Sequence, residues 1–198
     1  MPVKKHARQR RGRRTGPQSL VPNPQPLSHV DTAGRVRMVD VGDKAETARE
    51  AVARGRITVG PAALRAIRAG KVKKGDPLQT ARLAGIVAAK RTSDLIPLCH
   101  PLPLSHVDVE ITREKNGYTI ESRVRTTART GVEMEALTAV AVAALTIYDM
   151  LKAIDKTMVI GEICVMEKRG GRTGEYRRSA IVQRRSSKVN RRSSTMDD

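Results

Sequence analysis

The 198-residue chain contains no Phe and no Trp, and its aromatic side chains are Tyr118, Tyr148 and Tyr176. Nucleic-acid modules that stack bases on a sheet need more than this, so the composition argues against an RNA-recognition surface. Cysteine is equally scarce. Cys99 and Cys164 supply neither a disulfide framework, nor a four-ligand zinc or iron-sulfur set, nor the three-cysteine motif of a radical enzyme, which fits a reducing cytoplasm. The longest apolar stretch, from about Ala136 to Tyr148, falls short of the ~20 residues that cross a bilayer, so a soluble protein with no membrane association is expected. The N-terminal stretch lacks both the apolar run of a secretory signal and the apolar face of a transit peptide.

Acidic residues are missing from the N-terminal end, and in 178–198 they are limited to Asp197 and Asp198. Residues 1–26 carry Lys4, Lys5, Arg8, Arg10, Arg11, Arg13 and Arg14 with no acid, followed by Pro17, Pro22, Pro24 and Pro26. Much of the net charge of +18 therefore sits outside the core-forming region. Few apolar residues and high charge predict disordered basic tails over 1–26 and 178–198, around one domain over 27–177. Such tails bind nucleic acid only nonspecifically and in a salt-sensitive way. A nucleic-acid binder driven by its tails would lose affinity on their deletion, whereas an enzyme would keep its turnover.

Within the domain, Arg35 to Val41 and Thr47 to Thr58 alternate polar and small apolar residues, which predicts two half-buried strands, the second also readable as helix. Pro61 and Gly70 bracket a short helix. Asp76 and Pro77 open another that runs to Lys90-Arg91, with cations at its negative end. Prolines at 97, 101 and 103 exclude helix and central strand and predict a stiff extended loop holding Cys99 and His100. Two alternating runs, Leu104 to Arg113 and Tyr118 to Thr127, flank Lys115-Asn116-Gly117 and predict a hairpin. A long apolar helix follows from about Val132 to Ile154, then a last strand over Met158 to Met166 and a glycine-rich basic loop from Lys168 to Gly174. This order is the βαββαβ pattern of a ferredoxin-like α+β sandwich, an antiparallel sheet with helices on one face.

Charges on so apolar a helix need partners, solvent or a ligand, because isolated buried ions are costly. In an extended turn before the helix, Glu133 and Glu135 would point the same way, with Met134 packed inward, and could accept from paired donors on a guanine-like ring. As helix-start carboxylates they would instead simply complement the macrodipole. Asp149 and Lys152, at i and i+3, share a helical face. Loss of solvation would lower the Lys152 pKa while Asp149 orients the amine, making a general acid/base; the plainer alternative is a surface ion pair. Glu135 and Asp149 are fourteen residues apart, roughly 20 Å along a helix, so one small pocket needs two chains to hold both pairs, across an isologous contact. Lys74-Gly75-Asp76 and the Lys168–Arg172 loop are candidate phosphate sites. His100 is a candidate phosphate donor or acid, and its adjacency to Cys99 suggests a metal only superficially.

These residues fall in motifs that together resemble the cyclic pyranopterin monophosphate synthases of molybdenum cofactor biosynthesis. The motifs are Met38-Val39-Asp40-Val41, Lys74-Gly75-Asp76, Ala88-Ala89-Lys90-Arg91-Thr92, Leu95-Ile96-Pro97-Leu98-Cys99-His100-Pro101-Leu102, Thr130-Gly131-Val132-Glu133-Met134-Glu135-Ala136-Leu137-Thr138 and Leu145-Thr146-Ile147-Tyr148-Asp149-Met150. The resemblance spans about Leu27 to Arg177. It implies a lyase that converts a 3′,8-cyclo-7,8-dihydroguanosine 5′-triphosphate, made by a radical SAM GTP cyclase, into cyclic pyranopterin monophosphate and diphosphate. It also implies a homohexamer built as a trimer of dimers, with active sites at dimer interfaces. No metal or other cofactor is implied as resident, and Mg²⁺ accompanying the triphosphate is left open. The implied catalytic set is Asp149, Lys152, Lys74 and His100. The implied substrate-binding set is Glu133, Met134, Glu135, Leu98, Cys99, Arg49, Lys168 and Asp40, with Lys74, His100, Lys168 and Arg49 on the triphosphate. Arg172 and Thr173 replace the Lys and Ser of many relatives, and Pro77 replaces an aliphatic residue.

Overall fold

The computed structural model describes residues 33–171 and 174–179. Both predicted tails therefore lie almost wholly outside the described residues, as do Arg172 and Thr173. Of the described residues, 33–36 belong to one unit and those from Arg37 onward to a second.

Strand β1 (Thr47–Thr58) alternates as its sequence requires, with Ala51, Ala53 and Ile57 fully buried while Arg54 and Arg56 point to the other face. This settles Thr47–Thr58 as strand: period two places its small apolar residues on one side, where a helix would scatter them. Helices α1 (Pro61–Arg68), α2 (Pro77–Ala89) and the short α3 (Thr92–Leu95) follow. Asp76 caps α2 by accepting from the Leu78 and Gln79 amides at 2.8 and 3.1 Å, as a Ser/Thr/Asp/Asn N-cap should. The hairpin pairs β2 (Leu104–Glu114) with β3 (Gly117–Ala128). Then come α4 (Glu133–Leu151), β4 (Val159–Arg169) and a two-residue β5 (Tyr176–Arg177).

The sheet order is β2-β3-β1-β4-β5 with antiparallel neighbours throughout. Its first four strands have the ferredoxin-like arrangement that the element order predicts, with β5 as a small addition at the edge. Helix α4 packs against β1, β3 and β4, and α2 packs beside it against β2. Close approach depends on small residues: a side chain at Gly85 of α2 would come within 2.9 Å of the Ala139 carbonyl of α4. By length and composition α4 could cross a membrane, yet ten of its nineteen residues are buried within the domain. It is the core helix. Buried Ser122 answers its own polarity by donating to the Ala136 carbonyl at 2.7 Å.

The predicted strand over Arg35 to Val41 is absent; only Val36 makes an isolated bridge. Alternation there buries nothing, since Val36 and Met38 stay 70% and 44% exposed, and a strand without burial lacks its main stabilisation. Gly117 shows why the hairpin needs glycine. Its φ is 144°, and a Cβ would overlap the Ile57 carbonyl on β1, so Gly117→Ala is expected to cost about 2–4 kcal/mol in chemical denaturation.

Candidate active site

The polar residues on α4 separate to its two ends. At the N-terminal end, Val132 precedes the helix without a side-chain cap and Glu133 and Glu135 occupy its first turn. The predicted extended turn is therefore not formed, and the two carboxylates take the helical alternative, on different sides of α4. Glu135 is 4% exposed, whereas Met134, expected to pack inward, is 37% exposed. Burial pushes the Glu135 carboxyl above the ordinary range despite a backbone hydrogen bond, and the neighbouring Glu133 adds to the shift. Glu133 instead meets Lys168, 3.1 Å away on β4.

The proline-rich loop comes to this same end. Burial raises the Cys99 thiol pKa, with the Glu135 charge adding to the effect. His100 Nε2 is 3.0 Å from the Val39 carbonyl; a carbonyl only accepts, so Nε2 carries the hydrogen and Nδ1 is the ring's other available nitrogen. Leu98 lies in the turn that the Cys99 amide closes on Ile96. Asp40 accepts from the Gly42 amide at 2.8 Å and so shapes the segment beyond Val39.

A cavity of about 560 Å³ opens at this end, walled by Lys44, Arg49, Glu50, Arg129, Glu133, Lys168 and Arg169 with Gly131, Gly170 and Gly171. Five cations face two carboxylates, a balance suited to a polyanion. Gly170 must be glycine, because its φ is 89° and a Cβ would overlap the Ala48 carbonyl. Arg49 donates from Nε and Nη2 to the Ala128 and Arg129 carbonyls at 2.9 and 3.0 Å, so it builds the wall with two of its donors. Glu50 is held by Arg123 and Arg125. Burial alone would raise its carboxyl, and the two guanidiniums outweigh that and lower it.

At the opposite end of α4, Asp149 bridges two ammonium groups, Lys74 at 2.7 Å and Lys152 at 2.8 Å. Lys74 also donates to the Asp149 carbonyl at 3.0 Å. Hydrogen bonds from Lys152 and then Lys74 hold the Asp149 pKa down at about 2. The expected fall of the Lys152 pKa does not occur: its hydrogen bond to Asp149 raises it, because the side chain is 54% exposed and solvation is retained. Lys152 is accordingly a charged donor in this chain. Lys74, expected beside an anion at the α2 N-terminus, is turned to Asp149, and Asp76 supplies that terminus with its carboxylate.

The structure thus gathers Asp40, Arg49, Leu98, Cys99, His100, Glu133, Met134, Glu135 and Lys168 toward one end of α4, and Lys74, Asp149 and Lys152 at the other. Lys44 and Arg129 in the cavity wall carried no motif signal. A second hollow of about 370 Å³ lies on the outer sheet face, but its arginines are largely matched by carboxylates, Arg54 by Glu121 and Arg56 by Glu114.

A family model described as the MoaC family matches residues 38–171. The chain is 62% identical over 154 residues to a cyclic pyranopterin monophosphate synthase of Chloroflexus aggregans, covering 77% of this chain and 93% of that one. It is 60% identical over 154 residues to the same-named protein of Thermomicrobium roseum, covering 77% and 93%. With that of Heliobacterium modesticaldum it shares 61% over 153 residues, covering 76% and 96%. The residues matched by the family model include every implied catalytic and substrate-binding residue from Asp40 to Lys168, and stop short of Arg172.

Proposed function

This chain belongs to the MoaC family, and on that premise we propose that it is a cyclic pyranopterin monophosphate synthase in molybdenum cofactor biosynthesis. Its substrate is a 3′,8-cyclo-7,8-dihydroguanosine 5′-triphosphate. A substrate hydroxyl attacks the α-phosphorus, the α–β phosphoanhydride bond breaks, and diphosphate leaves as the cyclic phosphodiester forms, with the purine rearranged to a pterin and no net redox change. The observation that carries this reading is the basic 560 Å³ cavity at the first turn of α4, which sets a phosphate wall beside Glu133, a carboxylate able to accept from a guanine edge.

In this mechanism Lys168 and Arg49 face the triphosphate, and His100, with Nε2 engaged by the Val39 carbonyl, acts on it through Nδ1, which has a proton to give in the imidazolium form. Glu133 accepts from the base on the cavity wall, and Glu135 meets the base from another side of the same helical turn, with Met134, Leu98 and Cys99 beside it. Lys152, kept protonated and oriented by Asp149, gives a proton during ring opening, and Lys74 stabilises developing negative charge. Asp40 shapes the rim.

One helix carries both charged groups, about 20 Å apart at 1.5 Å per residue. A single small substrate reaches both only if a second copy turns the opposite end of its α4 toward this cavity. We therefore propose active sites shared between two chains, within a homohexamer built as a trimer of dimers in the cytoplasm, supplied by a radical SAM GTP cyclase. Incubation of the purified protein with the cyclic nucleotide should yield a pterin and diphosphate in equal amounts. Absence of both products would reject the assignment.

A further inference from the structure

We propose that Lys44 and Arg129 bind the two distal phosphates of the substrate and hold diphosphate after cleavage, making them residues that select a triphosphate over shorter chains. This rests on the synthase reading for its biological ligand, though not for its chemistry. The cations of the cavity wall are not equally free to meet an anion. Two of the donors on Arg49 are committed to the Ala128 and Arg129 carbonyls. Lys168 is paired with Glu133 at 3.1 Å.

Arg169 has one 3.8 Å contact, to Glu167 two residues back on its own strand, and flanks the pair. Lys44 and Arg129 differ from Arg49 and Lys168. Lys44 makes no ion pair among the described residues. Arg129 has only a long 3.8 Å contact to Glu46, and its side chain is 45% exposed. Both nevertheless stand on fixed backbone. The Lys44 amide donates to the Val41 carbonyl at 3.1 Å, one residue from the turn that Asp40 closes on Gly42, and the Arg129 carbonyl is held by Arg49 at 3.0 Å. Asp40 and Arg49 thereby act as positioning residues for Lys44 and Arg129. One unpaired and one loosely paired cation on a wall opened by Gly131, Gly170 and Gly171 match a compact, highly charged group such as diphosphate. A compact ammonium and a planar guanidinium also grip phosphate oxygens differently, so both contribute.

The test is calorimetric titration of the full chain with inorganic diphosphate. Lys44→Ala and Arg129→Gln should each weaken binding about tenfold, and the double variant about a hundredfold, the scale of one and two charge-assisted contacts. Arg54→Gln, which removes the same charge on the outer sheet face, should leave binding unchanged. In the synthase assay the two single variants should raise KM with kcat within about threefold, the signature of lost binding rather than lost chemistry. Diphosphate affinity unchanged in the double variant, or equally weakened by Arg54→Gln, overturns the proposal. Wild-type protein that binds diphosphate through these two residues but makes no pterin would reject the reaction while retaining this site.

Discussion

Lys152→Ala should lower turnover about a thousandfold or more while weakening substrate binding less than about tenfold, as expected for a group acting mainly in the transition state. The asymmetry comes from the geometry. The basic cavity lies at the N-terminal end of α4, and Lys152 lies beyond the C-terminal end, so truncating it leaves the phosphate wall of its own chain intact. Folding should survive, because the side chain is 54% exposed. The pH dependence has a defined sign. Asp149 is held down at about 2, below its ordinary value, so the ion pairs with Lys74 and Lys152 are complete near neutrality and are lost only as pH falls toward 2. Acid loss of activity above that range would then belong to another group. Single-turnover kinetics with a parallel binding titration checks the prediction; wild-type turnover by the variant removes Lys152 from the mechanism.

Glu135→Gln should reduce turnover about a hundredfold, the scale of losing hydrogen bonds to a charged acceptor, yet leave the fold as stable as before or more so. Glu135 is nearly inaccessible and its carboxyl is raised by burial first, then by Glu133. A raised carboxyl binds more protons folded than unfolded, so its ionisation lowers stability as pH rises through the folded pKa. Glutamine cannot ionise. The melting temperature of the variant should therefore match wild type in mild acid and exceed it at neutral and higher pH. A variant that melts lower across that whole range would assign Glu135 a structural role instead. An isosteric amide that keeps full turnover would remove it from base recognition.

The fold was legible where chemistry forces a local choice. Pro61, Pro77 and the Asp76 cap could only begin helices, Asn116-Gly117 could only turn, and the apolar run through α4 was too long for a strand. The segment Arg35 to Val41 misled because alternation describes only one prerequisite of a strand, and nothing in seven residues says whether a partner edge exists. α3 and β5 are too short for periodicity to register. The site was legible as a set of residue types. Its arrangement was not, since Lys74 and Asp149 meet through a contact between residues 75 apart in sequence. The direction of the Lys152 shift depends on exposure, which follows from how the end of α4 emerges. Lys44 and Arg129 looked like ordinary surface cations until β1, β3 and the glycine turn brought them to one wall.

One active site is proposed to draw Glu135 from one chain and Lys152 from another. Co-expressing Lys152→Ala and Glu135→Gln chains, each reduced to about a hundredth of wild-type turnover or less on its own, tests it directly. Random pairing should restore about a quarter of wild-type turnover, because half of the dimers are mixed and each has one of its two sites intact. If the mixed assemblies form but remain as inactive as either parent, both residues serve the same chain, and the shared site is contradicted.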